Sequence, residues 1–364
     1  MAIKFIKSFS NDKRVNKKGL RIDVYREIQI LNSLYDEEVN YDHTAGRITK
    51  LQQLLIGSMH ENQYTLALVF EYYPFSLSHI LRKHRHLGPN DSKYYFDDQY
   101  IAKMLYQICE GIAVLHDLWI LHRDLKPSNI LIDVQNGGIV KLCDFGLSKV
   151  FGQRYQTAGV HKQQRDGEIV TLFYRAPELF IAESDEFHES PAVDIWSIGC
   201  ILAELIRLKP LFSIDVDPSK PRDVRSQNKD MLKKICQVLG VPKSRKGGSE
   251  QKDREDEYEY EDEENDLTKN NTWNGIELFG IAYFDSWGRK WRMDDVKGRL
   301  FTAWLRDASV LQKRLLRSVL MMDPSQRPNV RTVMNHQYFK ATLPKENDPQ
   351  RLLLYPTGNY GHLE

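Results

Sequence analysis

The run His122-Arg123-Asp124-Leu125-Lys126-Pro127-Ser128-Asn129 holds the most chemistry per residue in the chain. Asp124 supplies a carboxylate that can orient a hydroxyl or accept its proton. Asn129, five positions on, supplies an amide oxygen suited to a hard metal ion. Lys126 stands between them, where a cation offsets negative charge on a phosphate in transit. Fifteen residues after Asn129 comes Asp144-Phe145-Gly146. An aspartate there can hold the Mg²⁺ that bridges the β- and γ-phosphates of ATP, and Gly146 permits the turn of the backbone. Ala176-Pro177-Glu178 closes the series. Any one of these groups alone says little. The three in this order point to phosphoryl transfer onto a hydroxyl.

Such residues need strands and helices to hold them. Residues 1–8 read as a strand, and residues 21–34 carry helical spacing with Val24, Ile28, Leu31 and Leu34 on one face. Two strand-like runs come next, Leu51–Met59 and Tyr64–Tyr72, and past Tyr73 the pattern turns helical. Residues 98–118 and 194–208 read as long buried helices, 311–339 as helical again, and the last 25 residues as an irregular tail. The hydrophobic fraction of 41% is that of a chain with a sizeable core. A net charge of +1 gives no reason to expect direct contact with nucleic acid or a membrane surface, and no apolar run is long enough to span a bilayer. The four cysteines, Cys109, Cys143, Cys200 and Cys236, have no metal-binding spacing and read as reduced thiols of an intracellular protein. From Glu250 to Asp266 the sequence is strongly acidic and lacks aliphatic residues. It reads as part of a disordered insert at about 244–270, solvated or docking a basic partner.

From residue 1 to about residue 340 the chain resembles a eukaryotic protein kinase. The resemblance implies an α+β, bilobal fold: a small β-rich lobe over 1–72, a large mostly helical lobe over 73–340, and a tail over 341–364. ATP and Mg²⁺ are the implied cofactors. Lys4 matches the strand lysine that grips the α- and β-phosphates, and Glu27 matches its helix partner. Glu71, Tyr72 and Tyr73 fall where the hinge meets adenine, with Phe70 at the gatekeeper position. Glu178 and Arg327 match a buried ion pair of the large lobe. The family's Gly-rich loop precedes its lysine strand, whereas this sequence begins on that strand. A missing loop would leave a sheet edge and apolar surface uncovered, and raises the rival reading of a kinase-fold scaffold without catalysis.

Lys126 resembles Ser/Thr rather than tyrosine kinases. Thr171-Leu172-Phe173-Tyr174-Arg175 resembles the cyclin-dependent and mitogen-activated branch, where Arg175 shapes a pocket favouring proline after the target Ser/Thr. No Thr-x-Tyr lies between Gly146 and Thr171, which argues against a mitogen-activated kinase. Five residues before Thr171 stands Asp166, where most cyclin-dependent kinases carry a phosphorylated Thr. Its carboxylate would be a permanent, weaker substitute for that phosphate, pairing with arginines that include Arg123. With Leu115–His122, Lys209–Phe212 and the Tyr355-Pro356 tail, this makes the chain most similar to the Mediator-complex cyclin-dependent kinase. That resemblance implies cyclin C and the other kinase-module subunits as partners, Ser/Thr-Pro proteins as substrates, a nuclear location, and a cyclin that pushes the Glu27 helix inward until Lys4 and Glu27 pair.

Overall fold

The structure, a computed structural model, describes residues 1–6, 22–34, 45–60, 63–88, 95–152, 172–181, 189–214, 224–240, 301, 305–348 and 350–355. The acidic stretch, Asp166 and Thr171 lie outside the described residues. In chain order the regular elements begin with β1 (Ala2–Ile6), α1 (Ile22–Ser33), β2 (Leu51–His60) and β3 (Gln63–Phe70). Next come β4 (Phe75–Ser76), α2 (Leu77–Leu87), α3 (Asp98–Asp117), β5 (Ile120–Leu121), β6 (Ile130–Asp133), β7 (Ile139–Leu142) and β8 (Lys149–Val150). The remainder is helical: α4 (Glu178–Ile181), α5 (Ala192–Arg207), α6 (Val224–Leu239), α7 (Val310–Val319), α8 (Val330–Met334) and α9 (Gln337–Thr342). No described helix is long and apolar enough to cross a membrane.

The chain divides into two compact units. One comprises Met1–Arg154, Glu204–Lys209 and Asn329–Glu364; the other comprises Tyr155–Ala203 and Pro210–Pro328. Among the described residues of the first unit are three small sheets, β1-β3-β2, β4-β6-β7 and β5-β8, all paired antiparallel. In the first sheet Lys4 lies opposite Leu68, which has no exposed surface. β1 and β2 are its outer strands, and their apolar residues Ile3, Phe5 and Ile56 are 51%, 61% and 71% exposed. The strand-like runs expected at 51–59 and 64–72 form strands, but β3 stops at Phe70, ahead of an irregular stretch leading to β4.

The backbone of the first unit is α3. Asp97 caps its start by accepting from the Tyr100 N–H at 2.7 Å, and Ile101, Met104, Leu105, Ile108, Ile112 and Leu115 form its buried stripe. The short β5, β6, β7 and β8 strands left no periodic signal in the sequence, because two to four residues give alternation nothing to repeat over. The helical stretch expected over 311–339 is three separate helices. Ser309 and Gln312 close a capping box at the start of α7, while Pro324 and Pro328 keep that helix from running on into α8. Asn329 then caps α8, and His336 caps α9.

In the second unit Trp196 of α5 is fully buried and stacks on Phe212, with ring centroids 5.4 Å apart. Arg327 lies 5.0 Å from the Trp196 ring. Its Nη1 and Nη2 donate to the two carboxylate oxygens of Glu178 at 2.7 and 2.8 Å, with both side chains essentially without exposure. The same guanidinium donates to the carbonyls of Met321, Met322 and Ala192. All five of its N–H groups are thereby used. The ion pair implied for Glu178 and Arg327 is made.

Candidate active site

The site is built around the β6–β7 hairpin. Asn129 immediately precedes β6, and Asp144 stands two residues beyond β7. The Cys143 N–H donates to the Asn129 carbonyl at 3.0 Å, so the two candidate metal ligands flank one backbone hydrogen bond. A short 3-10 turn, Pro127–Asn129, turns the chain into β6, with Pro127 fixing φ at its first position. The Asn129 side chain is buried and donates through Nδ2 to the carbonyl oxygen of Asp124 at 2.8 Å and to its Oδ2 at 3.1 Å. Lys126 Nζ donates to the same Oδ2 at 2.7 Å. One oxygen of Asp124 is therefore held by an amide and an ammonium, and the carboxylate has a fixed orientation.

Lys4 reaches across from β1. Its Nζ lies 2.7 and 3.0 Å from the two oxygens of Glu27, a buried residue of α1, and 3.1 Å from Asp144 Oδ1. Glu27 sits on the same face of α1 as Val24, Ile30, Leu31 and Leu34, which are buried. The apolar stripe seats the helix, and the seat aims the carboxylate. The Lys4–Glu27 pair, expected to form when a cyclin moves the helix, is already closed.

Burial pulls the Lys4 ammonium down, but Asp144 and Glu27 outweigh it and hold its pKa above the ordinary 10.5. For Asp144 burial pushes up, and Lys4, helped by His122 and Lys126, outweighs it and holds the carboxyl below its ordinary 3.8. Both side chains keep more than a third of their surface in solvent, so these shifts describe charge state more than stability. The signs define a window. The Asp144 contribution is fully present above 3.8 and lost as pH falls through its lowered value. The Lys4 contribution is fully present below 10.5 and lost as pH rises through its raised value. Affinity for Mg²⁺·ATP measured by titration calorimetry is expected to stay level from about pH 7 to about pH 9, with no step assignable to either group. A break inside that window would contradict the arrangement. Between Asp144 and β7, burial holds the Cys143 thiol up at about 12, so it stays protonated and inert.

Two backbone features had no signature in the sequence. Arg123 and Asp144 both have left-handed φ, 67° and 66°, which non-glycine residues rarely adopt. Cross-links between the two segments hold them there. Arg123 Nη1 donates to the Leu147 carbonyl at 2.9 Å, and the Ser148 hydroxyl donates to the His122 carbonyl at 3.1 Å. The His122 and Phe145 rings lie 5.3 Å apart. Strain of this kind persists where the surroundings over-determine it, as at functional sites.

Of the remaining expected residues, Glu71 and Tyr73 lie on the link between β3 and β4, where Tyr73 is buried and its hydroxyl donates to Glu71 at 2.7 Å. Tyr72 points outward, 60% exposed. Arg175 belongs to the second unit, 5.9 Å from the Phe180 ring. The roles expected of Asp166 and Thr171 fall outside the described residues.

The donor set fits magnesium. Asn129 and Asp144 offer one amide and one carboxylate oxygen, both hard donors. Among the described residues no cluster of three or more His, Cys, Asp or Glu could cage a metal alone. An ion held by one or two side chains, with phosphate oxygens and water completing its shell, is how Mg²⁺ is usually bound beside a nucleotide.

The chain matches the protein kinase domain family over residues 1–339, and it belongs to that family. It is an ATP-dependent Ser/Thr protein kinase. Within the family it stands in the cyclin-dependent branch, as its relatives indicate. It is 30% identical over 358 residues to the probable cyclin-dependent kinase 8 of Dictyostelium discoideum, covering 96% of this chain and 77% of that one. It is 30% identical over 333 residues to cyclin-dependent kinase 8 of Drosophila melanogaster, covering 90% and 63%. To the serine/threonine-protein kinase SSN3 of Scheffersomyces stipitis it is 32% identical over 231 residues, covering 63% and 47%. The chain thus spans between about half and three quarters of the length of these relatives.

Proposed function

We propose that the chain transfers the γ-phosphoryl of ATP to Ser or Thr followed by Pro, as a cyclin-dependent kinase acting on transcription in the nucleus with cyclin C and the other Mediator kinase-module subunits. One observation carries the catalytic part: Lys4 is clamped between Glu27 and Asp144, on a site where Lys126 and Asn129 both bond to Asp124. Lys4 neutralises charge on the α- and β-phosphates, and Glu27 keeps its ammonium in place. Asn129 and Asp144 would hold Mg²⁺, which would supply positive charge against the phosphates. Asp124 receives the substrate hydroxyl and orients it for in-line attack. Lys126, already bonded to that carboxylate, lies where it can also meet the transferring group. Such a site works by positioning and charge, which is what a fixed set of charged groups supplies. A scaffold without catalysis would leave the meeting of Lys4, Glu27 and Asp144 unexplained.

The proline preference and the partners rest on the relatives' names and on Arg175, Asp166 and Thr171. The test is transfer of labelled γ-phosphate by the full chain to paired peptides differing only in Ser-Pro against Ser-Ala, with and without cyclin C. Labelling of Ser-Pro at least about tenfold above Ser-Ala, raised by the cyclin, is expected, a difference of about 1.4 kcal/mol in transition-state binding. Equal labelling of the two peptides would remove the proline preference. Labelling indifferent to the cyclin would remove the partner.

A further inference from the structure

Residues 352–355 are fastened to the hairpin that carries the proposed metal ligands. Residues 352–355 form no helix or strand, yet Leu354 and Tyr355 are buried. The Tyr355 N–H donates to the Gly137 carbonyl at 2.9 Å, in the turn that joins β6 to β7. Gly137 and Gly138 there have φ of 76° and 81°. A Cβ on Gly138 would stand 2.6 Å from the Tyr355 ring and 2.7 Å from Leu354, so the turn is bare where the tail lies on it. The Tyr355 hydroxyl meets that of Tyr100 on α3 at 2.9 Å.

Gln107, at the middle of α3 and fully buried, joins the tail to the same hairpin. Its Nε2 donates to the Leu352 carbonyl at 2.7 Å. Its Oε1 accepts from the Val140 N–H at 2.9 Å and from Arg47 Nη1. Val140 is in β7, whose other edge pairs with β6, so Gln107 satisfies an outward backbone group that no described strand takes. Arg47 is itself fixed by Glu110 at 2.9 Å. One carboxamide thus binds helix, strand and tail at once. The hairpin is held at its turn by Tyr355 and along β7 by Gln107, and its open end presents Asn129 and Asp144.

We propose that Gln107 and the Leu352–Tyr355 strap are positioning elements for the pair Asn129 and Asp144, an inference that takes their metal-binding role from the function proposed above. The strap bonds to Gly137, Tyr100, Lys103 and Gln107, none of them a proposed metal ligand. It acts by keeping the hairpin in one register, so that the two oxygens stay the right distance apart for one ion.

The test uses the full chain with two changes made separately. Leu354→Ser with Tyr355→Ser unseats the strap, and Gln107→Met keeps the volume of the side chain but removes its three hydrogen bonds. The first readout is amide hydrogen exchange. In both variants the Cys143 N–H, bonded to Asn129, is expected to exchange about tenfold faster while Leu68 of β3 is unchanged. The second is affinity for Mg²⁺·ATP against that for adenosine, with the first weakened severalfold and the second preserved. Unchanged exchange at Cys143, or equal acceleration at Leu68, would overturn the proposal, the latter by showing general support of the fold. Equal loss of both ligands would do the same. If the unaltered chain failed to bind Mg²⁺·ATP, the kinase reading would fall, and the exchange comparison would still decide whether the strap holds the hairpin.

Discussion

Asp144→Asn is expected to lower kcat/KM for protein phosphorylation by about a thousandfold or more, equivalent to roughly 4 kcal/mol of transition-state stabilisation. The substitution keeps the side chain's volume and removes its charge. Lys4 loses one of two carboxylates but keeps Glu27 at 2.7 Å, so the β1–α1 link survives and the thermal midpoint should move only slightly. The loss therefore falls on chemistry. Asn129 alone cannot hold a magnesium ion tightly, and an amide in place of the carboxylate leaves the developing phosphate charge under-compensated. Labelled phosphate transfer, with circular dichroism on the same sample, checks both halves. A variant within tenfold of the parent would show that Asp144 is not a metal ligand.

Arg327→Leu is expected to cost about 3–5 kcal/mol of stability, the largest effect of any single change outside the site. It strands the Glu178 carboxylate, which has 1% side-chain exposure, and leaves the carbonyls of Met321, Met322 and Ala192 without their donor. It also removes the guanidinium from the face of Trp196. Because the penalty comes from the unpaired partner, changing Glu178→Leu together with Arg327→Leu should recover a good part of it. Urea denaturation of Arg327→Leu alone, Glu178→Leu alone and the two together measures this directly. Additive losses in the double variant would contradict the account of a coupled buried pair.

The residues of the candidate site were legible because phosphoryl transfer demands side-chain types at fixed spacings, and His122–Asn129 and Asp144–Gly146 supply them in order. Lys4 was legible only through the family resemblance, since a lysine in an apolar strand has no chemistry of its own until Glu27 and Asp144 meet it. The long elements were readable as well, α1, α3 and α5 from helical spacing and β2 and β3 from their extended apolar runs. What escaped was whatever depends on partners far away in sequence. Gln107 is one polar residue inside an apolar helix, and nothing near it announces that it will bind Val140 and Leu352. Residues 350–355 form no helix or strand, and the burial of Leu354 and Tyr355 comes from Gly137 and Gly138, more than two hundred residues away. The left-handed φ of Arg123 is likewise held by cross-links such as its own to the Leu147 carbonyl, whereas an arginine has no local preference for that conformation.

The central claim is that Asn129 and Asp144 share a magnesium ion with ATP beside Lys4. Titration calorimetry of ATP into the full chain, once with Mg²⁺ and once with EDTA, tests it most directly when repeated on Asp144→Asn. Binding at least about tenfold tighter with the metal, a gain of roughly 1.4 kcal/mol that vanishes in the variant, is the predicted result. Equal affinity with and without Mg²⁺ in the unaltered chain, or an undiminished metal effect in the variant, would contradict it.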